Sequence, residues 1–195
     1  MNNPYIDDKL FHMGFQVGFN ACSFLTDQAK ANVSFPGVGF RVGFVADLRL
    51  CKYLNLRCTP GLEFAYRTLN ISSTQGTLIG AIPITLPVYL KFSAERVSNF
   101  RPYVLAGGGV SFNVNKYDET KERIAQHWLD YFCEAGFGCD IYFPWFKLCP
   151  EITYRIGFGN QLNTSFQPHD PEYMNIMGSN RLLNQAICLT FNFQN

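Results

Sequence analysis

Apolar and polar side chains alternate along residues 11–20, whose sequence is FHMGFQVGFN. The odd positions are mostly large and apolar, and the even positions are small or polar. Because successive side chains of a strand point to opposite faces, this alternation predicts a strand with one apolar and one polar face. The same two-residue period recurs in seven further segments, which we predict as strands at residues 37–51, 56–69, 81–93, 101–115, 128–143, 147–159 and 182–193.

Charged residues in the predicted strands are confined to one of the two faces. No apolar face contains a charge, whereas the opposite faces carry both signs in near balance. A cation at a lipid-facing position near the bilayer midplane costs about 2–4 kcal/mol, so this pattern is typical of strands that contact lipid. The charges predicted to face the interior are Arg41, Asp47, Arg49, Arg57, Glu63, Arg67, Lys91, Asp130, Glu134, Asp140, Glu151 and Arg155.

The predicted connections alternate between long and short. Outer-membrane barrels have short periplasmic turns and longer outer loops. The alternation therefore predicts an all-β fold, an eight-stranded antiparallel up-and-down transmembrane β-barrel with a polar, charge-paired interior and both termini in the periplasm. The predicted long loops are residues 25–36, 70–80, 116–126 and 160–181, and the predicted short turns are residues 52–55, 94–100 and 143–146.

A single domain is expected to account for the whole chain, residues 1–195. Residues 1–10 are predicted to form a periplasmic lead-in, and residues 11–193 to form the barrel. The opening sequence, MNNPYIDD, lacks a basic region followed by an apolar core. If the protein is exported, we therefore expect a signal peptide to have been removed.

The composition agrees with a surface that does not face water. Charged residues make up 16% of the chain, and phenylalanine alone occupies 19 positions. A soluble domain carries about 25% charged residues. No apolar run is long enough for a transmembrane helix. The net charge of +1 gives no electrostatic reason to expect a nucleic acid as partner.

The soluble alternative is a lipocalin-like barrel or a β-sandwich, in which the apolar faces point inward and the charged faces meet water. Such a protein would show exposed lysine and glutamate in excess, with glycine confined to bends. Here the polar faces are rich in arginine and glycine instead, and these glycines leave room for long side chains inside a narrow barrel. This favours the membrane barrel. The glycines are Gly14, Gly18, Gly39, Gly43, Gly136, Gly138, Gly157 and Gly159.

An eight-stranded barrel has an interior just wide enough to be filled by side chains. The charged interior should therefore be a plug of ion pairs rather than a pore. This argues against a protein-conducting channel and favours an accessory, assembly or docking role. A proton or ion path is the alternative use of these charges, and it is disfavoured because the two signs are matched.

Enzymatic chemistry finds little support in the sequence. A lipid-modifying barrel needs a serine activated by a histidine. The histidines are His12 on an inner face and His127 and His169 in predicted loops, and no GxSxG motif is present. The seven cysteines include no CxxC pair. We expect no catalytic residue, no cofactor and no metal site. A disulfide between Cys149 and Cys188 is conceivable, but reduced cysteines are favoured.

Several segments of the chain resemble the PorT family of outer-membrane proteins. The start, with NPY at residues 3–5, DDK at residues 7–9 and FHMGF at residues 11–15, resembles the start of mature PorT-family proteins. Matching strand motifs, which a broader superfamily of small outer-membrane barrels shares, are ITLPVYLK at residues 84–91, RPYVLAGG at 101–108, CPEITYR at 149–155 and LTFNF at 189–193.

PorT proteins are implicated in the type IX secretion system, which exports proteins across the outer membrane and supports gliding motility in some members. The resemblance implies a non-enzymatic accessory or assembly component of type IX secretion in the outer membrane of a Gram-negative bacterium. Its partners would be membrane lipid and type IX components, and it would act through loops or periplasmic turns. The alternative is a generic small barrel with a structural, adhesin-like or lipid-binding role.

Aromatic residues are expected at both edges of the membrane. Phe191 and Phe193 resemble the carboxy-terminal signal that the outer-membrane assembly machinery reads, although plain lipid contact would also explain them. Two aromatic girdles are predicted. One contains Tyr53, Phe100, Tyr103, Phe143, Trp145 and Phe146 at the short-turn end, and the other contains Tyr66, Tyr117, Trp128 and Tyr131.

Overall fold

The computed structural model describes residues 7, 9–26, 37–71, 74–114, 128–159 and 182–195. Most of them lie in ten β-strands. Among the described residues no helix is long and apolar enough to cross a membrane. The strands are β1 (Phe11–Thr26), β2 (Gly37–Arg49), β3 (Leu54–Cys58), β4 (Gly61–Ile71), β5 (Thr74–Ala81), β6 (Pro83–Ser93), β7 (Phe100–Asn113), β8 (Leu129–Tyr142), β9 (Lys147–Gly157) and β10 (Leu182–Gln194).

The strands close into a barrel, because β1 pairs antiparallel with both β2 and β10. The remaining neighbours along the wall are also antiparallel. β3 and β4 together form one wall strand, and β5 and β6 form another. The wall therefore has eight strands, and the predicted eight-stranded antiparallel barrel is confirmed.

The interruption between β3 and β4 lies beside two prolines. β3 and β4 keep the same register against β2 and against β6, so nothing is inserted between them. The Pro60 carbonyl accepts a hydrogen bond from the Phe44 amide at 2.9 Å, and the Thr59 amide donates to the Pro87 carbonyl at 3.2 Å. Proline removes one ladder donor at each place. The interruption is therefore a local loss of pairing within a continuous wall.

The prediction of a long loop at residues 70–80 is wrong, because most of this segment belongs to β4 and β5. β4 continues to Ile71, β5 begins at Thr74, and these two residues are paired. The polar composition of this segment indicated a loop, but antiparallel backbone pairing needs no apolar face, and β-branched residues such as Thr77 and Ile79 favour strands. β1 likewise runs to Thr26, into the first two residues of the loop predicted at residues 25–36. The other predicted long loops, at residues 25–36, 116–126 and 160–181, lie almost entirely outside the described residues.

Burial along the strands is inverted relative to a soluble protein. Outward side chains are large and apolar, for example Phe44 at 70% and Val38 at 76% exposure. Inward side chains include Arg57, Lys91 and Asp47, each 0% exposed. Charged residues are almost never fully buried in soluble domains unless paired, and a contiguous apolar exterior marks a surface that is covered in the cell. The lipocalin-like alternative, with its apolar faces inside, is therefore excluded.

Aromatic residues mark both ends of the outer surface, with one correction. Phe100, Phe143 and Trp145 are exposed near the short turns, and Trp128 and Tyr131 are exposed near the other end. Tyr103 was predicted to belong to the short-turn girdle, but it is 3% exposed and points into the barrel. Tyr103 occupies one of the alternate positions of β7 whose side chains point into the barrel, so it does not contact lipid. Tyr117 lies outside the described residues.

A ladder of phenylalanine rings crosses the seam where the barrel closes. The Phe15 ring on β1 stacks on the Phe193 ring on β10 with centroids 4.9 Å apart. The Phe193 ring in turn lies 6.1 Å from Phe146, which stacks on Phe143 at 4.9 Å. Phe193 thus links the last strand to the first strand and to the β8–β9 turn.

We predict that Phe193→Asp weakens the barrel by about 1–2 kcal/mol. The estimate combines the lost aromatic pair with a carboxylate on the outer surface near the membrane edge. The measurement is the fraction of folded protein on unboiled SDS gels after refolding across a urea series. Phe193→Leu is the matched control, since it keeps an apolar side chain. Equal urea midpoints for Phe193→Asp and the native chain would contradict the prediction.

Candidate functional site

Two networks of ion pairs fill the inside of the barrel. Both are built from charged residues that alternate with the outward apolar positions, so strand geometry delivers them to the same interior. The first, the six-residue network, lies toward the short turns and consists of Asp47, Arg57, Lys91, Asp140, Lys147 and Glu151. The second, the four-residue network, lies farther along the barrel axis and consists of Arg41, Glu63, Glu134 and Arg155.

Arg57 is the centre of the six-residue network. Its Nε and Nη2 donate to the two carboxylate oxygens of Asp47 at 2.7 and 2.8 Å, a bidentate pair. Its Nη1 donates to Glu151 at 2.7 Å. Lys91 Nζ lies 2.7 Å from Asp140 and 3.9 Å from Asp47, which joins the two halves of the network. Three cations face three carboxylates, so the network is neutral.

Lys147 belongs to this network although the sequence prediction omitted it. Its Nζ lies 3.8 Å from Asp140, and the side chain is fully buried. Lys147 has the same parity as Glu151 and Arg155, which indicates an inward position. Its position as the first residue of its strand, directly after an aromatic turn, obscures this parity in the sequence.

The four-residue network alternates two arginines with two glutamates. Arg155 lies 2.8 Å from Glu63 and 2.9 Å from Glu134. Arg41 lies 3.3 Å from Glu63 and 3.8 Å from Glu134. Thr153 also donates a hydrogen bond to Glu134. Each carboxylate is shared by both guanidinium groups, so removal of one glutamate leaves two arginines with a single counter-charge.

Two predicted interior charges, Asp130 and Arg49, lie outside these networks. Asp130 is buried at the opposite end of the barrel, where its carboxylate accepts a hydrogen bond from the Gly159 amide at 3.0 Å. Arg49 lies at the short-turn end and donates to the Asp7 carbonyl oxygen at 2.5 Å. The backbone of Arg67 pairs with Gly37, but its side chain lies outside the described part of the structure.

Tyr103 packs across the bore beside the six-residue network. Its hydroxyl donates to Glu151 at 2.9 Å, and Lys91 Nζ lies 4.0 Å from the ring centroid. The ring fits only because Gly138 stands next to it. A Cβ at Gly138 would lie 2.6 Å from the Tyr103 ring and hydroxyl. Glycine on the inner face therefore provides space for a larger neighbour.

The wall made by β1 and β10 lines the bore with uncharged polar groups. His12, Gln16 and Asn20 follow one another on the inner face of β1, and all are buried. Gln16 donates to the Thr59 carbonyl at 3.5 Å, and Asn192 on β10 donates to the Cys149 carbonyl at 3.2 Å. His12 is opposite Asp47 in the register of β1 and β2.

Reactive groups are sparse in the described part of the chain. Within it, no cluster of three or more histidine, cysteine or acidic side chains could hold a metal ion. His127 and His169 lie outside the described residues. Cys149 and Cys188 are both buried and free. Cys149 is opposite Asn192 in the register, and Cys188 is opposite Thr153, so the two thiols are offset along the wall.

A polar cleft opens at the short-turn end, with a volume of about 300 Å³. We call it the turn-end cleft. Within it Lys52 and Glu95 form an exposed pair at 3.3 Å. Tyr53 and Lys52 hydrogen-bond the Glu95 carboxylate and lower its pKa, so Glu95 is ionised at neutral pH. The lining residues are Asp7, Arg49, Lys52, Tyr53, Glu95, Arg96 and Arg101.

We predict that Glu134→Gln lowers the free energy of unfolding by about 3–5 kcal/mol, because it breaks a buried pair and leaves Arg41 and Arg155 undercompensated. The measurement is thermal or urea unfolding of the purified protein in detergent. Glu95→Gln is the matched control, because its ion pair is exposed to solvent and its removal should leave the midpoint unchanged. Equal midpoints for Glu134→Gln and the control would contradict the ion-pair plug.

Comparison with known proteins agrees with this architecture. The chain matches the family described as Outer membrane protein beta-barrel domain over residues 2–163. No curated protein sequence matches it. Among solved structures it is similar to Neisserial surface protein A, NspA, with a TM-score of 0.53 and 11% identity over 94% of this chain and 96% of that chain.

The outer membrane protein OprG from Pseudomonas aeruginosa is similar to the same degree, with a TM-score of 0.53 and 11% identity over 95% of this chain and 94% of OprG. The outer membrane enzyme PagL is more distant, with a TM-score of 0.44 and 11% identity over 90% of this chain and 97% of PagL. The family match covers most of the barrel, and the chain belongs to the outer membrane protein beta-barrel domain family, integral to the outer membrane of a Gram-negative bacterium.

Proposed function

We propose that this barrel is a non-enzymatic accessory or assembly component of type IX protein secretion, and that it works through protein contacts at its turn end. The observation that carries the proposal is the filled bore. Two neutral ion-pair networks and the Tyr103 ring occupy the interior, and their charged side chains are at most a few per cent exposed. A polypeptide in transit has no space there, so the outer surface and the two ends remain for function.

The turn end is the better candidate of the two ends. Its concave cleft is lined by charged side chains, and its turns are held by specific hydrogen bonds. In outer-membrane barrels the short turns face the periplasm, where cargo and secretion components are found. We therefore orient this barrel with the cleft and both termini in the periplasm. The PorT-like segments at the start of the chain support the choice of pathway.

Phe191 and Phe193 contribute to the proposed function through insertion of the barrel into the outer membrane. We assign to them the carboxy-terminal signal through which the outer-membrane assembly machinery inserts the barrel. Phe193 is suited to such a role because its ring also closes the seam with Phe15. The assembly machinery would then recognise β10, the same strand that closes the barrel by pairing with β1.

The filled bore predicts that the native protein does not conduct small solutes. Proteoliposomes loaded with a small fluorescent dye should retain it as well as empty liposomes do, because an eight-stranded barrel has no lumen beyond its side chains. A sixteen-stranded porin reconstituted in parallel is the positive control. Dye loss above the level of empty liposomes would contradict the plugged interior and reopen the ion-path alternative.

The secretion role predicts that deletion of the gene abolishes export of type IX cargo, and that the native gene supplied in trans restores it. The measurement is cargo in the culture medium by immunoblot, with a periplasmic marker as control for leakage. Membrane insertion of the complementing protein is checked by the heat-dependent shift on SDS gels. Normal export in the deletion strain would favour a generic small barrel with a structural, adhesin-like or lipid-binding role.

A further inference from the structure

The turn-end cleft already contains a carboxylate, and its surroundings define what the cleft recognises. Asp7 comes from the lead-in that precedes β1. The Tyr142 hydroxyl lies 2.8 Å from each carboxylate oxygen of Asp7 and donates its single proton to that carboxylate. Arg101 Nη1 and Arg96 Nη1 lie 3.6 and 4.0 Å from the same carboxylate. Arg49 donates to the Asp7 backbone carbonyl at 2.5 Å.

These contacts engage two parts of one residue, its acidic side chain and its main-chain carbonyl. Tyr142, Arg96 and Arg101 contact an acidic side chain, whereas Arg49 contacts the main chain of the same residue. A lipid phosphate or a free anion could engage the first group but offers no peptide carbonyl to the second. The arrangement therefore matches an acidic residue within a polypeptide better than an isolated anion.

The cleft is held in shape by contacts that do not depend on Asp7. Arg101 donates to the Ala94 carbonyl at 2.9 Å and to the Lys52 carbonyl at 2.6 Å, which joins the β2–β3 and β6–β7 turns. Arg96 lies 3.6 Å from the Tyr142 ring centroid and donates to the Ser98 carbonyl at 2.9 Å. Ser98 has a left-handed backbone with φ of 56°. A preorganised cleft of this kind loses little conformational entropy on binding.

The charge of the lining favours further acidic groups. Four of the seven lining residues are cations, namely Arg49, Lys52, Arg96 and Arg101, and two are carboxylates, Asp7 and Glu95. The lining has a net charge of +2. A concave surface with one predominant sign attracts ligands of the opposite sign. In the sequence Asp7 is followed by Asp8. Two adjacent acidic residues are the kind of segment that the net positive charge of the lining attracts.

We propose that the turn-end cleft is a docking site for an acidic segment of a partner protein, and that Asp7 of the lead-in occupies the site until the partner displaces it. This inference rests on the proposed function for its cellular context, and it names the chemistry of the partner. The tethered Asp7 competes at an effective concentration of about millimolar, as short linkers give. A partner must therefore present an acidic motif at high local concentration, or with additional contacts.

The test uses the full-length folded protein in detergent micelles. The probe is a fluorescent peptide with the sequence of residues 1–10 and an amidated carboxy terminus, measured by fluorescence anisotropy. A second peptide, in which both aspartates are replaced by asparagine, is the matched control. The protein variants are native, Asp7→Asn, and Asp7→Asn combined with Arg96→Gln. Folding of each variant is checked by the heat-dependent shift on SDS gels.

We expect Asp7→Asn to bind the acidic peptide at least about tenfold more tightly than the native protein, because the intramolecular competitor loses the carboxylate that Tyr142, Arg96 and Arg101 contact. The asparagine peptide should not bind, and Arg96→Gln should abolish the gain. If Arg96→Gln does not fold, Arg49→Gln replaces it, since Arg49 contacts the main chain. Equal binding by the native protein and Asp7→Asn, or equal binding of both peptides, overturns the proposal.

A lipid ligand is the competing outcome. Short-chain phosphatidylglycerol, added to the same variants, would bind Asp7→Asn in an Arg96-dependent way if the cleft recognises headgroup phosphate. Such binding without peptide binding overturns the proposal in favour of lipid. The peptide assay does not depend on secretion. If peptide binding is observed but the deletion strain exports cargo normally, only the secretion role is refuted. If the deletion strain loses export but no peptide binding is observed, only this inference is refuted.

Discussion

A charged side chain on the inner surface of this barrel can find a counter-charge only within the bore, because the outer surface is apolar and covered by lipid. The whole wall is arranged around that constraint. Arg57 reaches Asp47 on the neighbouring strand and Glu151 across the bore, so one guanidinium links distant parts of the wall. Arg155 and Arg41 do the same with Glu63 and Glu134. Buried pairs of this kind hold mainly because breaking one leaves its partner uncompensated.

The ion pairs in turn determine where small residues and prolines are tolerated. Gly138 stands where the Tyr103 ring must pass, and that ring supports both Lys91 and Glu151. Pro60 interrupts the ladder without shifting the register, so Arg57 and Glu63 on either side still face the bore. Local deviations in backbone pairing are accepted as long as the inward parity of the charged residues is preserved.

The alternation of side chains between the two faces of a strand explains how much could be predicted from the sequence. The two-residue period assigned Arg41, Asp47 and Glu134 to the interior without any knowledge of their partners, because strand geometry alone decides the face. The same rule was available for Tyr103 and Lys147. Tyr103 was instead assigned to the short-turn girdle by its position along the membrane axis, and Lys147, the first residue of the predicted strand at residues 147–159, was left out of the set of interior charges. Composition also misled at residues 70–80, where polar residues form a paired hairpin and not a loop.

The turn-end cleft could not be predicted because it joins parts of the chain that are far apart in sequence. Asp7, Arg49, Arg96 and Tyr142 come from the lead-in, from β2, from the β6–β7 turn and from β8, and no periodicity relates them. Only closure of the barrel brings these positions together. The plugged bore and the cleft are thus consequences of one architecture: ion pairs connect distant parts of the wall, and the closed wall brings the lead-in, the β2–β3 turn and the β6–β7 turn together. A narrow barrel whose bore is filled by side chains can still present a polar, concave surface at its turn end.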